Sequence, residues 1–265
     1  MNENQPTIAF IGAGNVATHL SAALAEKGCI IRQVFSRTEA SARELADKLS
    51  CPFTTSLEEV TSDAELYIVS VKDSVLESLL PSLVERNPNA LFVHTAGSMP
   101  MTVWKGLAKR YGVLYPMQTF SKENPVDFSN LPIFIEANHP ADTELLKSLA
   151  GRISRSVHEA TSEQRRYLHI GAVFACNFTN RMYAICHHLL ASHGLPFEAM
   201  LPLIDETARK VHTLPPASAQ TGPACRNDEN VMNRHLQMLE NEPELAELYR
   251  LISKNITEMS QKAEC

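Results

Sequence analysis

The sequence predicts an α/β fold, a doubly wound parallel sheet followed by an all-α region, and three observations predict it. Short apolar runs rich in β-branched residues alternate with amphipathic stretches from Thr7 to about residue 160. A Gly-x-Gly turn, Ile11-Gly12-Ala13-Gly14-Asn15, joins the first apolar run to the first amphipathic stretch. After Thr161 the alternation stops and apolar residues recur only at helical spacing. The expected division is therefore 1–160 and 161–265.

The first strand covers 7–11 and the first helix 15–27, with Val16, Leu20, Ala23 and Leu24 on one face and Gly28 ending it. Gly12 allows a tight turn, Gly14 lets a ligand approach the backbone, and Ala17 is small enough for close helix–strand packing. This is the strand, turn and helix of a Rossmann first unit. The new helix points its free N–H groups toward a diphosphate, for which Gly12, Ala13, Gly14, Asn15, Val16 and Ala17 are the expected site. An ordinary structural turn is the competing reading, and the flanking strand and helix count against it. The second strand, 30–35, ends in Ser36-Arg37-Thr38. An NAD site has Asp or Glu at that tip for the ribose 2′-OH. A guanidinium and hydroxyls suit a 2′-phosphate instead, so Ser36 and Arg37 predict NADP(H), unless Arg37 is merely a surface cation.

The remaining elements follow in order. A helix over 39–49 precedes a short strand over 51–54, where Pro52 resists helix. A small helix over 57–60, a buried strand over 64–71 and a helix over 74–83 come next. The strand 91–94 leads to Thr95-Ala96-Gly97-Ser98, then a helix over 103–111 and a strand over 112–116. Strands over 131–136 and 154–158, separated by a helix over 141–150, complete the sheet. Residues 162–193 read as one broadly apolar helix that must be buried. Helices over 197–211, 228–238 and 244–259 follow, the second capped by Asp228 or Asn227.

Ligands of open parallel sheets bind beyond the carboxyl ends of the strands. Val71, Thr95, Ala96 and Gly97 stand there and are expected beside the nicotinamide and its ribose; Gln118 and Thr119 are expected to face a substrate. His94 reads equally as a general acid or as a strand-end histidine holding a loop. Lys72 reads as a solvated cation and Asp73 as a helix N-cap. His169 and Asn177 lie eight residues apart on one helix face. Polar groups on an apolar helix need partners, which suggests substrate binding or proton donation, against a buried histidine and an inter-helix amide contact. Arg226 suits a substrate carboxylate or a surface acid.

Composition narrows the partners. The chain has 265 residues, 44% hydrophobic, and a net charge of −6 with no basic run, so nucleic acid is not expected. The six cysteines, Cys29, Cys51, Cys176, Cys186, Cys225 and Cys265, are scattered without a Cys-x-x-Cys pair, and the ten histidines lack ligand spacing, so no metal is expected. The segment 1–6 is short and polar, unlike a leader, and no apolar run has membrane length. A cytoplasmic location with reduced thiols is the expectation. The long apolar helix suggests a homodimer through the helical region.

The N-terminal half resembles the Rossmann domains of pyrroline-5-carboxylate reductase and of deazaflavin-dependent NADP oxidoreductases. The resemblance rests on Ile11-Gly12-Ala13-Gly14-Asn15 and Ser36-Arg37. The whole chain resembles NADP oxidoreductases in which such a domain precedes an uncharacterised helical one. The blocks that carry this are His94-Thr95-Ala96-Gly97, Tyr115-Pro116-Met117-Gln118-Thr119-Phe120, Val173-Phe174-Ala175-Cys176-Asn177 and Thr221-Gly222-Pro223 with Arg226, Asp228 and His235. The resemblance implies an all-helical, dimerising second domain like that of 6-phosphogluconate dehydrogenase relatives. It also implies NADP as cofactor, and it implies no particular substrate. Val173 stands where β-hydroxyacid dehydrogenases have lysine in their Lys-x-x-x-Asn motif, here ending at Asn177, and the serine- and threonine-rich motif of pyrroline-5-carboxylate reductase has no counterpart. The expected activity is hydride transfer between NADP(H) and a small polar C=O or C=N compound, with His169, Asn177 and Gln118 on the substrate side. The absent lysine leaves a non-catalytic NADP-binding sensor as the alternative.

Overall fold

The computed structural model describes residues 6–263. Of the polar opening segment only Pro6 is described, and Cys265 lies outside the described residues. Eight strands form one sheet in the order β3-β2-β1-β4-β5-β6-β7-β8. They are β1 (Ile8–Ile11), β2 (Ile31–Phe35), β3 (Phe53–Thr54), β4 (Leu66–Val69), β5 (Leu91–His94), β6 (Arg110–Pro116), β7 (Ile133–Ala137) and β8 (Val157–Glu159). Every pairing is parallel except β6–β7. No crossover helix forms between Pro116 and Ile133, so the chain returns beside β6 in the opposite direction.

All four residues of β1, β4 and β5 are buried, because helices cover both faces of the sheet. Side-chain alternation divides them. Ile8, Phe10, Ile68 and Val93 face α1 (Asn15–Glu26), α2 (Glu39–Leu49) and α4 (Pro140–Gly151). Ala9, Ile11, Tyr67 and Phe92 face α3 (Asp73–Arg86) and Trp104.

Two expectations in this half need correction. The helix over 103–111 does not form; only a single turn of 3-10 helix, Met101–Trp104, stands there. Trp104 is completely buried against Phe92 and His94, which stops the turn, and Arg110 already begins β6, held by Asp142 through an ion pair of 2.5 Å. Asp73 is the first residue of α3 rather than its cap, and its carboxylate accepts a hydrogen bond from Ser98 Oγ.

After β8 all regular elements among the described residues are helical. Thr161 and Gln164 form a reciprocal capping box at the start of α5 (Ser162–Ala172). A π-helical segment, Val173–Phe178, and α6 (Thr179–Ala191) follow. The expected burial of this stretch is not met within the chain. Arg165 is buried, while Ile170, Phe174 and Phe178 are 52%, 64% and 49% exposed. In α5 it is the buried Arg165 that packs on the sheet. The residues through Arg181 form one compact unit and those from Met182 a second. The change of structural class near residue 160 thus marks the end of the sheet, and α5 groups with the sheet because Arg165 ties it there. The second unit contains α7 (Leu201–Lys210), α8 (Pro216–Ala219), α9 (Glu229–Met238) and α10 (Pro243–Ala263). A 3-10 turn, Phe197–Met200, precedes α7, and Asp228 caps α9 by accepting from the Val231 N–H at 3.2 Å.

Candidate active site

The turn after β1 has no room for side chains. Gly12 has φ +121°, and a Cβ there would stand 2.1 Å from the Ser70 carbonyl oxygen. The Gly12 N–H donates to Phe35 O at 2.7 Å, tying the turn to β2. Gly14 is different: a Cβ there would meet nothing within 4 Å. It opens onto free space in front of α1, whose first N–H groups have no helical partner. Ala17 is fully buried beneath the turn, and Val16 is half-buried beside it. The Asn15 side chain donates to Phe120 O at 2.9 Å, and His19 Nε2 lies 2.7 Å from Ser121 O. These contacts fasten the loop after β6 to α1, so at Asn15 only the backbone is left for a ligand.

Gly12, Ala13, Gly14, Ser36, Arg37 and Val71 line one cavity of about 240 Å³. Thr38, a hydroxyl the sequence placed at the strand tip, also borders it, as do Ser41 and Lys72, which the sequence pattern did not single out as ligand-facing. Arg37 and Lys72 are exposed and, among the described residues, form no ion pair. An open glycine, a helix N-terminus, two unpaired cations and three hydroxyls fit a diphosphate and an additional phosphate.

His94 is not placed for acid catalysis. It is fully buried, its Nδ1 accepts the Ala96 N–H at 3.2 Å, and its ring stacks on Trp104. Burial, helped by the charge of Arg165, holds its pKa down at about 3. It is a neutral strand-end residue that shapes the loop after β5. Arg165 finishes that loop from α5, donating to Ala96 O at 3.2 Å and Met99 O at 2.5 Å. Its charge is balanced by Glu136 at 2.8 Å, which also accepts from Ser162 Oγ. Thr95 Oγ1 donates to Ser70 Oγ at 3.1 Å, joining the ends of β4 and β5.

A second cavity, about 950 Å³, is lined by Gln118, His169 and Asn177, the three substrate-side residues expected from sequence, together with Tyr115, Tyr167 and Cys176. Gln118 Oε1 accepts the Thr119 N–H at 2.9 Å, which orients the amide. The π-helical geometry of Val173–Phe178 presents Cys176 and Asn177 to this space. Gly97 connects it to the β5 loop: a Cβ there would stand 2.8 Å from His169 Nδ1 and 2.9 Å from Tyr115 Oη. Tyr115 is buried, and burial pushes its phenol above the ordinary value, opposed by Arg165. Sequence reasoning missed Tyr115 and Arg165; a tyrosine on the carboxyl end of a strand was the available signal for the first. In the second unit His235 Nδ1 is engaged by Tyr249 Oη at 2.8 Å, and Arg226 ends a 3-10 turn, Ala224–Arg226.

The chain is 56% identical to a solved structure from Bacteroides fragilis named "putative NADP oxidoreductase". The match covers 96% of this chain and 98% of that one, with a TM-score of 0.92. This chain belongs to the NADP oxidoreductase family. The family described as "NADP oxidoreductase coenzyme F420-dependent" matches residues 7–97, and a domain of unknown function (DUF2520) matches 131–256. An imine reductase from Myxococcus stipitatus in complex with NADP+ shares the fold at 16% identity and a TM-score of 0.67, covering 97% and 94% of the two chains. A pyrroline carboxylate reductase from Plasmodium falciparum with NADP bound does so at 12% and 0.57, covering 97% and 99%. No curated protein matches the chain. The oxidoreductase is therefore an NADP-dependent enzyme on a Rossmann fold followed by helices. No helix among its described residues is long and apolar enough to cross a membrane.

Proposed function

We infer that this oxidoreductase moves hydride between NADP(H) and a small polar C=O or C=N compound. The observation that carries this reading is the single cavity bordered by Gln118, His169 and Asn177 beside the Gly97 loop. When bound, the cofactor supplies or accepts the hydride. The backbone N–H groups of Ala13, Gly14, Asn15 and Val16 bind the diphosphate, while Gly12, whose own N–H is held by Phe35 O, and the buried Ala17 shape the turn around it. Ser36 and Arg37, joined by Thr38, Ser41 and Lys72, hold the 2′-phosphate. Val71, Thr95, Ala96 and Gly97 flank the nicotinamide ribose. His169 and Asn177 from residues 161–265, the substrate and dimerisation region, orient the substrate, and Gln118 joins them from the cofactor-binding region 1–160. The exposed apolar side chains of the helical region support a homodimer, and the unpaired cysteines among the described residues suit the cytoplasm.

The test has two parts. Binding of NADPH and NADH is measured for wild type and Arg37→Ala; the variant is expected to lose affinity for NADPH by about tenfold or more and none for NADH. An unchanged preference removes Arg37 from its role. NADPH oxidation is then followed with benzaldehyde, pyruvate and pyrroline. Turnover of any of these supports the reading, and tight NADPH binding without turnover across such a panel contradicts it.

A further inference from the structure

Resting on that reading, the geometry points to Tyr115 as the proton donor of the substrate cavity, with His169 beside it as the group that restores its proton. The two side chains come from different elements, the end of β6 and the third turn of α5. Both polar atoms close in on Gly97: a Cβ there would stand 2.9 Å from Tyr115 Oη and 2.8 Å from His169 Nδ1, so only glycine lets the two side chains approach this closely. Gly97 is outside the left-handed region, so its conformation does not require glycine. The absent side chain matters for the space it leaves.

The rest of the cavity supports the choice of donor. Its lining contains no Asp, Glu, Lys or Arg among the described residues. Tyr167 is 72% exposed and Cys176 is exposed, so neither is held in one place. Tyr115 lines the cavity with its ring packed against Phe134, and its hydroxyl has no hydrogen-bond partner among the described residues. The groups that face it are Gly97, Phe134 of β7, and Arg165 and His169 of α5. Its phenol, raised by burial, keeps its proton at neutral pH, as a donor must. As the substrate carbon gains hydride, the π pair of the C=X bond moves to X, and X takes the proton from Tyr115 Oη. His169, which is exposed, then delivers a proton to Oη and recovers one from solvent.

The experiment uses the full chain carrying tyrosine labelled at Cζ. Tyr115→Phe assigns the resonance by its loss. In His169→Gln the Tyr115 titration is expected to move by about half a pH unit or more, and in Gly97→Ala the Tyr115 resonance shifts as the new methyl separates the pair. With NADPH and the panel compound turned over fastest, Tyr115→Phe is expected to lose about a hundredfold or more in kcat while binding NADPH as wild type does. The proposal is overturned if Tyr115 titrates identically with and without His169, if Tyr115→Phe keeps its turnover, or if it loses NADPH affinity instead. If no panel compound is reduced, the reading of the function fails, and the NMR titration still decides the pair.

Discussion

Two glycines two residues apart do opposite work in this protein. At Gly12 a methyl would be driven into the Ser70 carbonyl, and φ is left-handed, so Gly12→Ala is expected to destabilise by about 3 kcal/mol or more in urea unfolding. At Gly14 a methyl meets only open space, so Gly14→Ala is expected to unfold at the wild-type midpoint while NADPH affinity drops by about tenfold. Equal stability losses in the two variants contradict this separation. Both roles were legible in sequence because they depend on local backbone and a helix start. His94 was not, because its state depends on Trp104 and Arg165, which reach it from elsewhere in the chain. Its folded pKa of about 3 lies below the ordinary 6.5, so only the unfolded chain takes up this proton between those values. Its contribution to stability is complete above pH 6.5 and is lost as pH falls, at about 1.4 kcal/mol per pH unit. Stability measured from pH 6.5 to 5, above the main carboxylate titrations, is expected to fall in wild type and to fall less in His94→Phe. Equal slopes would show that His94 is not the source.

Among the elements, α5 decides how the site is assembled. Arg165 is 1% exposed and binds two loop carbonyls as well as Glu136. Removing one member of a buried pair leaves the other uncompensated, so Arg165→Met is expected to cost about 3–5 kcal/mol. Adding Glu136→Gln should recover part of that in a double-mutant cycle read by urea unfolding. Additive losses would mean that the two groups are not coupled. Hydrophobic periodicity located α5 and α6, since both keep apolar residues at helical spacing. It said nothing of the π-helical turn between them, because such a turn alters hydrogen-bond register without changing composition. Nor did it foresee the 3-10 turn at Met101–Trp104, where burial of one tryptophan overrides local helix propensity.

For the molecule as a whole, exposed apolar side chains such as Ile170, Phe174, Leu203 and Met238 lie on the helical elements and call for a partner surface. Sedimentation is expected to give a dimer, with Phe174→Glu shifting it toward monomer; a wild-type monomer at all concentrations contradicts the dimer. By itself the sequence determined the Rossmann sheet, the glycine turn and the arginine at the tip of β2, because each is written in contiguous residues whose spacing carries the physics. The tertiary structure alone decided that β7 runs against β6, that His94 is neutral and enclosed, and that Tyr115 and His169 both stand against Gly97. Those facts arise where distant segments pack together, and the free energy of burial and pairing there depends on neighbours that chain order does not reveal.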